Sequence, residues 1–125
     1  MRVVLPRDVA GLLLSMAREL HPREMIATLH GRVKKGEARV REVYLAPQSI
    51  YGEGFSAFNF YQMPIDLSFL GIAHSHPSGV GMPSYEDLNN MMGRVMIIVT
   101  APYADERDIH AFDAEGRRLE VVITD

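Results

Sequence analysis

The first regular pattern along the chain is an apolar stripe with helical spacing. Its members recur at intervals of three and four residues, as on one face of a helix: Val9, Leu12, Leu13, Met16, Ala17 and Leu20. Pro6 and Asp8 stand at its start, and His21-Pro22 ends it, because the residue before a proline is pushed out of the helical region. The sequence therefore predicts a first helix here, after a short apolar segment, Val3–Leu5.

Most of the remaining apolar residues fall in short runs that predict strands. These are Arg23–Gly31, Ala38–Ala46, Phe55–Tyr61, Leu70–His76, Arg94–Thr100, Ile109–Asp113 and Leu119–Ile123. Val40 and Val43 fall on opposite phases of their strand, which indicates a bulge. Ser84–Met92 is predicted to be a second helix, followed by Gly93. These predicted helices and strands indicate an α/β fold, a single-domain sandwich in which helices flank a central mixed, curved sheet.

Composition narrows the classes of function. A chain of 125 residues with 47% apolar residues suits one domain, residues 1–125. The net charge of −3 and the lack of a long basic cluster argue against a nucleic-acid partner. Because cysteine is absent, the strong metal ligands that remain are His, Asp and Glu. No long apolar stretch or signal-peptide pattern is present, so we expect no membrane association and a cytoplasmic location.

One stretch combines metal-binding side chains at a fixed spacing. His74 and His76 stand two apart at the end of a predicted strand, so their imidazoles project to the same side. Ser84 is a good helix N-cap, and Asp87 then falls in the first helical turn. Three ligands with a fourth position open are typical of a catalytic zinc site. The ordinary alternatives are two edge-strand histidines and a simple capping box, but the combination favours the metal site.

These residues carry a resemblance to a known family. His74-Ser75-His76-Pro77, followed by Ser84 and Asp87, resembles the JAMM (MPN+) metalloprotease motif H-[ST]-H-P-x6-S-x2-D. The resemblance implies a fold similar to the cytidine-deaminase-like arrangement and one Zn²⁺ per chain, held by His74, His76 and Asp87. It also implies that Ser84 helps to polarise the substrate carbonyl, although this hydroxyl is equally suited to act only as the helix cap.

The resemblance also selects a catalytic carboxylate. Family members carry their catalytic glutamate at the start of the strand after the first helix, where Glu24 stands. Spacing alone does not distinguish Glu24 from other carboxylates of the chain, and a solvated strand end is its ordinary alternative.

The expected partners follow from the same resemblance. Family members that process ubiquitin-like proteins hydrolyse the bond after a C-terminal Gly-Gly, and prokaryotic relatives release ubiquitin-like sulfur carriers. We therefore expect conjugates of such modifiers or sulfur carriers as substrates, with the tail at a sheet edge near Phe55–Phe60, beside loops 47–54 and 77–83. The alternatives are a peptidase for other small peptides or cell-wall peptides and an inactive MPN scaffold, which the complete motif disfavours. A structural zinc protein is disfavoured because only three ligands are evident.

Overall fold

Seven strands and two α-helices make up residues 1–46 and 66–125, the part of the chain that this computed structural model describes. The elements are β1 (Arg2–Pro6), α1 (Arg7–Leu20), β2 (Ile26–Lys34), β3 (Glu37–Leu45), β4 (Phe69–His76), α2 (Tyr85–Asn89), β5 (Val95–Thr100), a 3-10 turn (Glu106–Asp108), β6 (Ile109–Asp113) and β7 (Arg118–Thr124). The predicted strand Phe55–Tyr61 and loop 47–54 lie outside the described residues. Within the described ranges, neither helix has the length and apolarity needed to span a membrane.

The strands form one mixed sheet that closes on itself in the order β1-β3-β2-β4-β5-β6-β7. The β1–β3, β4–β5 and β1–β7 pairs are parallel, and the other pairs are antiparallel. β7 closes the ring by pairing with β1 from Arg2↔Glu120 to Pro6↔Thr124. The predicted α/β class and mixed sheet are confirmed. Closure into a barrel was not predicted, because it depends on a pairing between the two ends of the described chain.

Helix α1 packs on one face of the sheet and completes the main core. Its buried residues, Val9, Ala10, Leu13, Leu14 and Ala17, meet inward side chains of the strands such as Leu5, Leu29 and Ile97. Leu12, which the sequence pattern placed in the buried stripe, is 46% exposed. Ala10 and Leu14 face the sheet instead of Leu12, so the buried face of α1 is rotated from the predicted one. Each fully buried leucine contributes about 1.5–3 kcal/mol.

The opposite face of the sheet carries a second layer and the metal-binding motif. Ile26 and Ile72 pack there with Met92, and Ile98 packs with Met91. His74 lies between Ile26 of β2 and Ile98 of β5 in the strand register. The segment that follows α2 covers these apolar neighbours, so the histidines occupy the face of the sheet that α1 does not cover.

Several predicted boundaries shift in the structure. β2 begins at Ile26, so Glu24 precedes the strand instead of opening it. The second helix is Tyr85–Asn89, shorter than predicted, because Met91 and Met92 beyond its end pack on the sheet. Gly93 has a φ of +80°, and a Cβ there would lie 2.5 Å from the Leu70 carbonyl oxygen. This glycine permits a close approach between its backbone and that of Leu70 before β5 begins. The sequence had predicted it to stand directly after the second helix, which ends earlier, at Asn89.

The predicted bulge and the terminal hairpin are confirmed. The β2–β3 register shifts between His30 and Gly31, and β6 and β7 pair around the turn between them. All six residues of β5 are buried, as its uninterrupted apolar run predicts.

Candidate active site

Strand β4 presents both histidines on one face. It is hydrogen-bonded to β2 on one side and β5 on the other, so its backbone is held from both directions. The side chain of His74 is fully buried and that of His76 is 14% exposed. The two ring centroids lie 5.0 Å apart. The two imidazoles therefore form one recessed pair, as the His-x-His spacing predicts.

A capping box at the start of α2 places the carboxylate of Asp87. The Asp87 backbone N–H donates to Ser84 Oγ at 3.0 Å, and the Ser84 backbone N–H donates to Asp87 Oδ2 at 2.8 Å. The carboxylate so held faces the histidines: Oδ1 lies 3.5 Å from His74 Nε2 and Oδ2 lies 3.1 Å from His76 Nε2. The cap predicted from the sequence and the predicted ligand are thus parts of one hydrogen-bonded unit.

The electrostatics of this unit favour an ionised carboxylate. Burial by itself would raise the pKa of Asp87, but the His76 hydrogen bond, the charge of His74 and the Ser84 hydrogen bonds lower it to about 2. The same Asp87 hydrogen bond is the main cause that raises the pKa of His76, against the opposing effect of burial. Asp87 is therefore an anion at neutral pH, and a metal ion that binds here competes with a proton on His76.

The three side chains together have the chemistry of a metal site. His74, His76 and Asp87 each offer one ligand atom, and these atoms all lie within 4.8 Å of one another. Two imidazole nitrogens and one carboxylate oxygen are a donor set that zinc accepts in catalytic sites, where a further coordination position stays open. The donor atoms present therefore fit a metal ion.

Each histidine has an oxygen atom close to its other ring nitrogen. His74 Nδ1 lies 3.1 Å from Glu24 Oε1, and His76 Nδ1 lies 2.8 Å from the Val80 carbonyl oxygen. The Val80 carbonyl accepts a proton held on His76 Nδ1, which leaves His76 Nε2 to bind a metal. The Glu24 carboxylate lies at ion-pair distance from the His74 ring. Both Nε2 atoms are the ones that face Asp87. The sequence offered no signal for the Val80 contact, because a backbone carbonyl can come from any residue.

Loop 77–83, which carries Val80, is tied to the C-terminal hairpin. Arg118 Nη2 donates to the Gly81 carbonyl at 3.0 Å, and Arg118 Nη1 lies 3.2 Å from His110 Nδ1. A Cβ added to Gly81 would lie 3.0 Å from the His110 ring, so the loop backbone rests directly on this imidazole. Arg118 and His110 thus fix the loop that orients His76, and sequence reasoning did not identify either residue in this role.

Glu24 reaches the site through contacts of the residue after it. Met25 N–H donates to Ser75 Oγ at 2.7 Å, and Ser75 N–H donates to the Met25 carbonyl at 3.0 Å. These bonds hold the segment before β2 against β4, and the Glu24 side chain, 34% exposed, lies beside His74. Ser75 itself is buried, and its hydroxyl accepts the Met25 N–H. All five predicted site residues are therefore brought together: Glu24, His74, His76, Ser84 and Asp87.

Comparison with known proteins agrees with this geometry. Residues 6–115 match the family of prokaryotic homologs of the JAB domain. The chain belongs to this family. The resemblance to JAMM proteins inferred from the motif is thereby confirmed. This JAB-domain chain is also 32% identical to a probable metalloprotease of Haloferax volcanii, over 100% of the chain and 87% of that relative.

Solved structures resemble the JAB-domain chain over its whole length. A JAB1/MPN domain protein from Archaeoglobus fulgidus is 28% identical, with a TM-score of 0.74 and coverage of 100% of both chains. A structure described as JAMM, a metalloprotease-like zinc site in the proteasome and signalosome, is 26% identical, with a TM-score of 0.73 and coverage of 100% of both chains. The JAB-domain chain is thus of a metalloprotease-like family.

Ser84→Ala tests the capping box. We expect the free energy of unfolding to fall by about 1 kcal/mol, because the Asp87 N–H loses its acceptor. Urea denaturation measures this change. Ser84→Thr, which keeps a capping hydroxyl, should restore most of the loss, and Ser15→Ala on the exposed side of α1 serves as the control. Equal stability of Ser84→Ala and the wild type would contradict the cap as a source of stability.

Proposed function

We propose that this protein is a zinc-dependent metalloprotease with one ion per chain, held by His74, His76 and Asp87. The observation that carries the proposal is the approach of both histidine Nε2 atoms to the Asp87 carboxylate, at 3.5 and 3.1 Å. The relative named a probable metalloprotease and the similar structure with a metalloprotease-like zinc site support it. Zinc is favoured over harder cations because two of the three donors are imidazoles.

The proposed chemistry is hydrolysis of an amide bond. A zinc ion in such a site lowers the pKa of water to ~7 and polarises a carbonyl group. Glu24 accepts a proton from the water that attacks the carbonyl carbon, and it delivers this proton to the amine nitrogen as the C–N bond breaks. Its side chain is 34% exposed, so it contacts His74 while remaining open to water.

Ser84 can combine its cap with a role in catalysis. Its Oγ accepts the Asp87 backbone N–H at 3.0 Å. A hydroxyl is an acceptor and a donor at once, so the Ser84 O–H proton remains to stabilise the oxyanion that forms on the substrate carbonyl. The catalytic role of Ser84 is thus compatible with the capping box.

The proposed substrate is a ubiquitin-like modifier or sulfur-carrier protein, cut after its C-terminal Gly-Gly. Family membership and the complete motif support this choice. The donor side chains are recessed, with His74 fully buried and Asp87 8% exposed, which favours a substrate segment without side chains. Val80, whose carbonyl oxygen contacts His76, has a 55% exposed side chain, which offers an apolar surface beside the site against which an extended tail can pack. A peptidase for other small peptides is the alternative.

Metal analysis tests the proposed ligands. Protein purified without added metal should contain about one equivalent of zinc, and His74→Ala or Asp87→Ala should lose it. His21→Ala, at the end of α1, is the control and should keep the metal. Zinc affinity should fall as the pH falls through the imidazole range, starting above the ordinary histidine value of ~6.5 because the pKa of His76 is raised. Unchanged zinc content in Asp87→Ala would contradict the assignment.

Two substitutions of Glu24 separate its role as base from its role as the charged neighbour of His74. Glu24→Gln keeps a side chain of similar size beside His74, but an amide does not accept the proton of the attacking water. We therefore expect normal zinc affinity and a kcat lower by roughly 10²–10⁴. Glu24→Ala should lower both kcat and zinc affinity, because His74 also loses the carboxylate that lies 3.1 Å from its Nδ1. Glu19→Gln on the exposed face of α1 is the control. A nearly normal kcat in Glu24→Gln would mean that another group is the base.

The substrate proposal predicts a strong dependence on the two glycines. Replacement of Gly-Gly by Ala-Ala in a ubiquitin-like conjugate should slow cleavage by about 10²-fold, because the side chains displace the scissile bond from its position. Mass spectrometry of conjugates, linear fusions and unrelated peptides locates the cleaved bonds. Equal cleavage of peptides that lack Gly-Gly would contradict the proposal and favour the general peptidase.

A further inference from the structure

A groove of ≈ 580 Å³ on the outer side of β1, β2 and β3 is lined by cationic side chains. The cations are Arg32 and Lys34 of β2, Lys35 of the following turn, and Arg39 and Arg41 of β3. Glu37 is the acidic residue of this lining. The chain as a whole has a net charge of −3, so the groove is opposite in sign to the rest of the molecule. We call these five cations and the surface they line the basic groove.

The positions of the charges in the basic groove lower the stability of the β2–β3 pairing. Arg32 and Arg39 lie directly opposite each other in the β2–β3 register, a position in which like charges destabilise a pair of strands. Arg41 is the extra residue of the bulge, because its neighbours Val40 and Glu42 pair with consecutive residues of β2. A third arginine is thus brought beside the first two.

The protein compensates only part of this charge. The Glu37 carboxylate lies 2.6 Å from Arg39 Nη2 and 2.8 Å from Arg2 Nε, so two guanidinium groups already share it. The hydrogen bond from Arg39 is the main cause that holds the pKa of Glu37 below its ordinary value. Arg32, Lys34, Lys35 and Arg41 have no ion-pair partner within residues 1–46 and 66–125. A negatively charged surface of another molecule would supply carboxylates to pair with these four cations.

The basic groove lies on the same face of β2 as the histidine pair. Side chains alternate along a strand, so Ile26, which pairs with His74, and Arg32 point to the same side. The burial pattern agrees, because Val33 packs towards the core while Arg32 and Lys34 are exposed. Six residues of strand span ~20 Å. A small folded domain is ~30 Å across, so it can cover this distance.

We propose that the basic groove binds an acidic face on the folded body of the protein substrate while the substrate's C-terminal tail lies at His74 and His76. This inference rests on the proposed function and adds to it the charge and the position of the recognised body. A nucleic acid fits the groove less well. The net charge of the remaining surface repels a long polyanion, and no aromatic side chain for base stacking stands among the described lining residues.

The test compares two substrates of the zinc-loaded enzyme that differ only in the body. One is an acidic ubiquitin-like domain whose C-terminal Gly-Gly is joined to a fluorogenic amine, and the other is its isolated tail peptide with the same bond. The variant is Arg32→Glu, which the sheet should tolerate because opposite charges then face each other across β2 and β3. Arg94→Glu, an exposed arginine outside the groove, is the matched control.

Arg32→Glu should raise KM for the folded substrate about fivefold with kcat unchanged, and it should leave cleavage of the peptide as in the wild type. Raising the salt concentration from about 50 to about 500 mM should raise KM for the folded substrate in the wild type and much less in Arg32→Glu. Arg94→Glu should behave as the wild type does.

Three outcomes would overturn the proposal. If the wild type cuts both substrates and Arg32→Glu changes KM for both equally or for neither, the groove does not recognise the body. If Arg32→Glu instead weakens binding of a duplex DNA oligonucleotide and leaves the folded substrate unaffected, the groove binds nucleic acid. A zinc-loaded wild type that cuts neither substrate contradicts the proposed function, and this inference with it.

Discussion

The reciprocal hydrogen bonds between Ser84 and Asp87 are the constraint on which the site depends. Helix α2 has five residues, too few to be stable by itself, and its start is defined by this capping box. A carboxylate that is 8% exposed requires partners, and Asp87 finds them in Ser84, His76 and His74. The same bonds that begin the helix therefore aim an anion at two imidazoles, so local folding and the metal site share one set of interactions.

The remaining parts of the site come from distant segments that the barrel brings together. β4 holds the histidines between β2 and β5. Glu24 comes from the segment between α1 and β2, which the hydrogen bonds between Met25 and Ser75 hold against β4. Pairing of β7 with β1 closes the sheet, and β7 contributes Arg118 to loop 77–83. The position and surroundings of each imidazole thus depend on parts of the chain that contact one another only in the folded barrel.

How well the sequence predicts a feature depends on how far apart along the chain the interacting residues lie. The sequence predicts that His74 and His76 share a face, because this depends on spacing within one strand. It also predicts the cap formed by Ser84 and Asp87, because this depends on spacing within one helical turn. Glu24 required the family resemblance, since its position depends on contacts with β4. Four features were not predicted, because each arises from strand register or loop packing. They are the closure of the barrel, the contact of the Val80 carbonyl with His76, the role of Arg118 and the basic groove. The burial of Leu14 instead of Leu12 reflects the angle at which α1 meets the sheet, which periodicity alone does not set.

X-ray absorption at the zinc edge tests the central claim most directly, because it reads the ligands of the metal without any substrate. The capping-box arrangement predicts a shell of nitrogen and oxygen atoms at ~2.0–2.1 Å with the scattering pattern of two imidazoles. When the variants are saturated with added zinc, His76→Ala should lose one imidazole from this pattern, and Asp87→Ala should keep both. A spectrum without imidazole scattering, or one that His76→Ala leaves unchanged, would contradict the account.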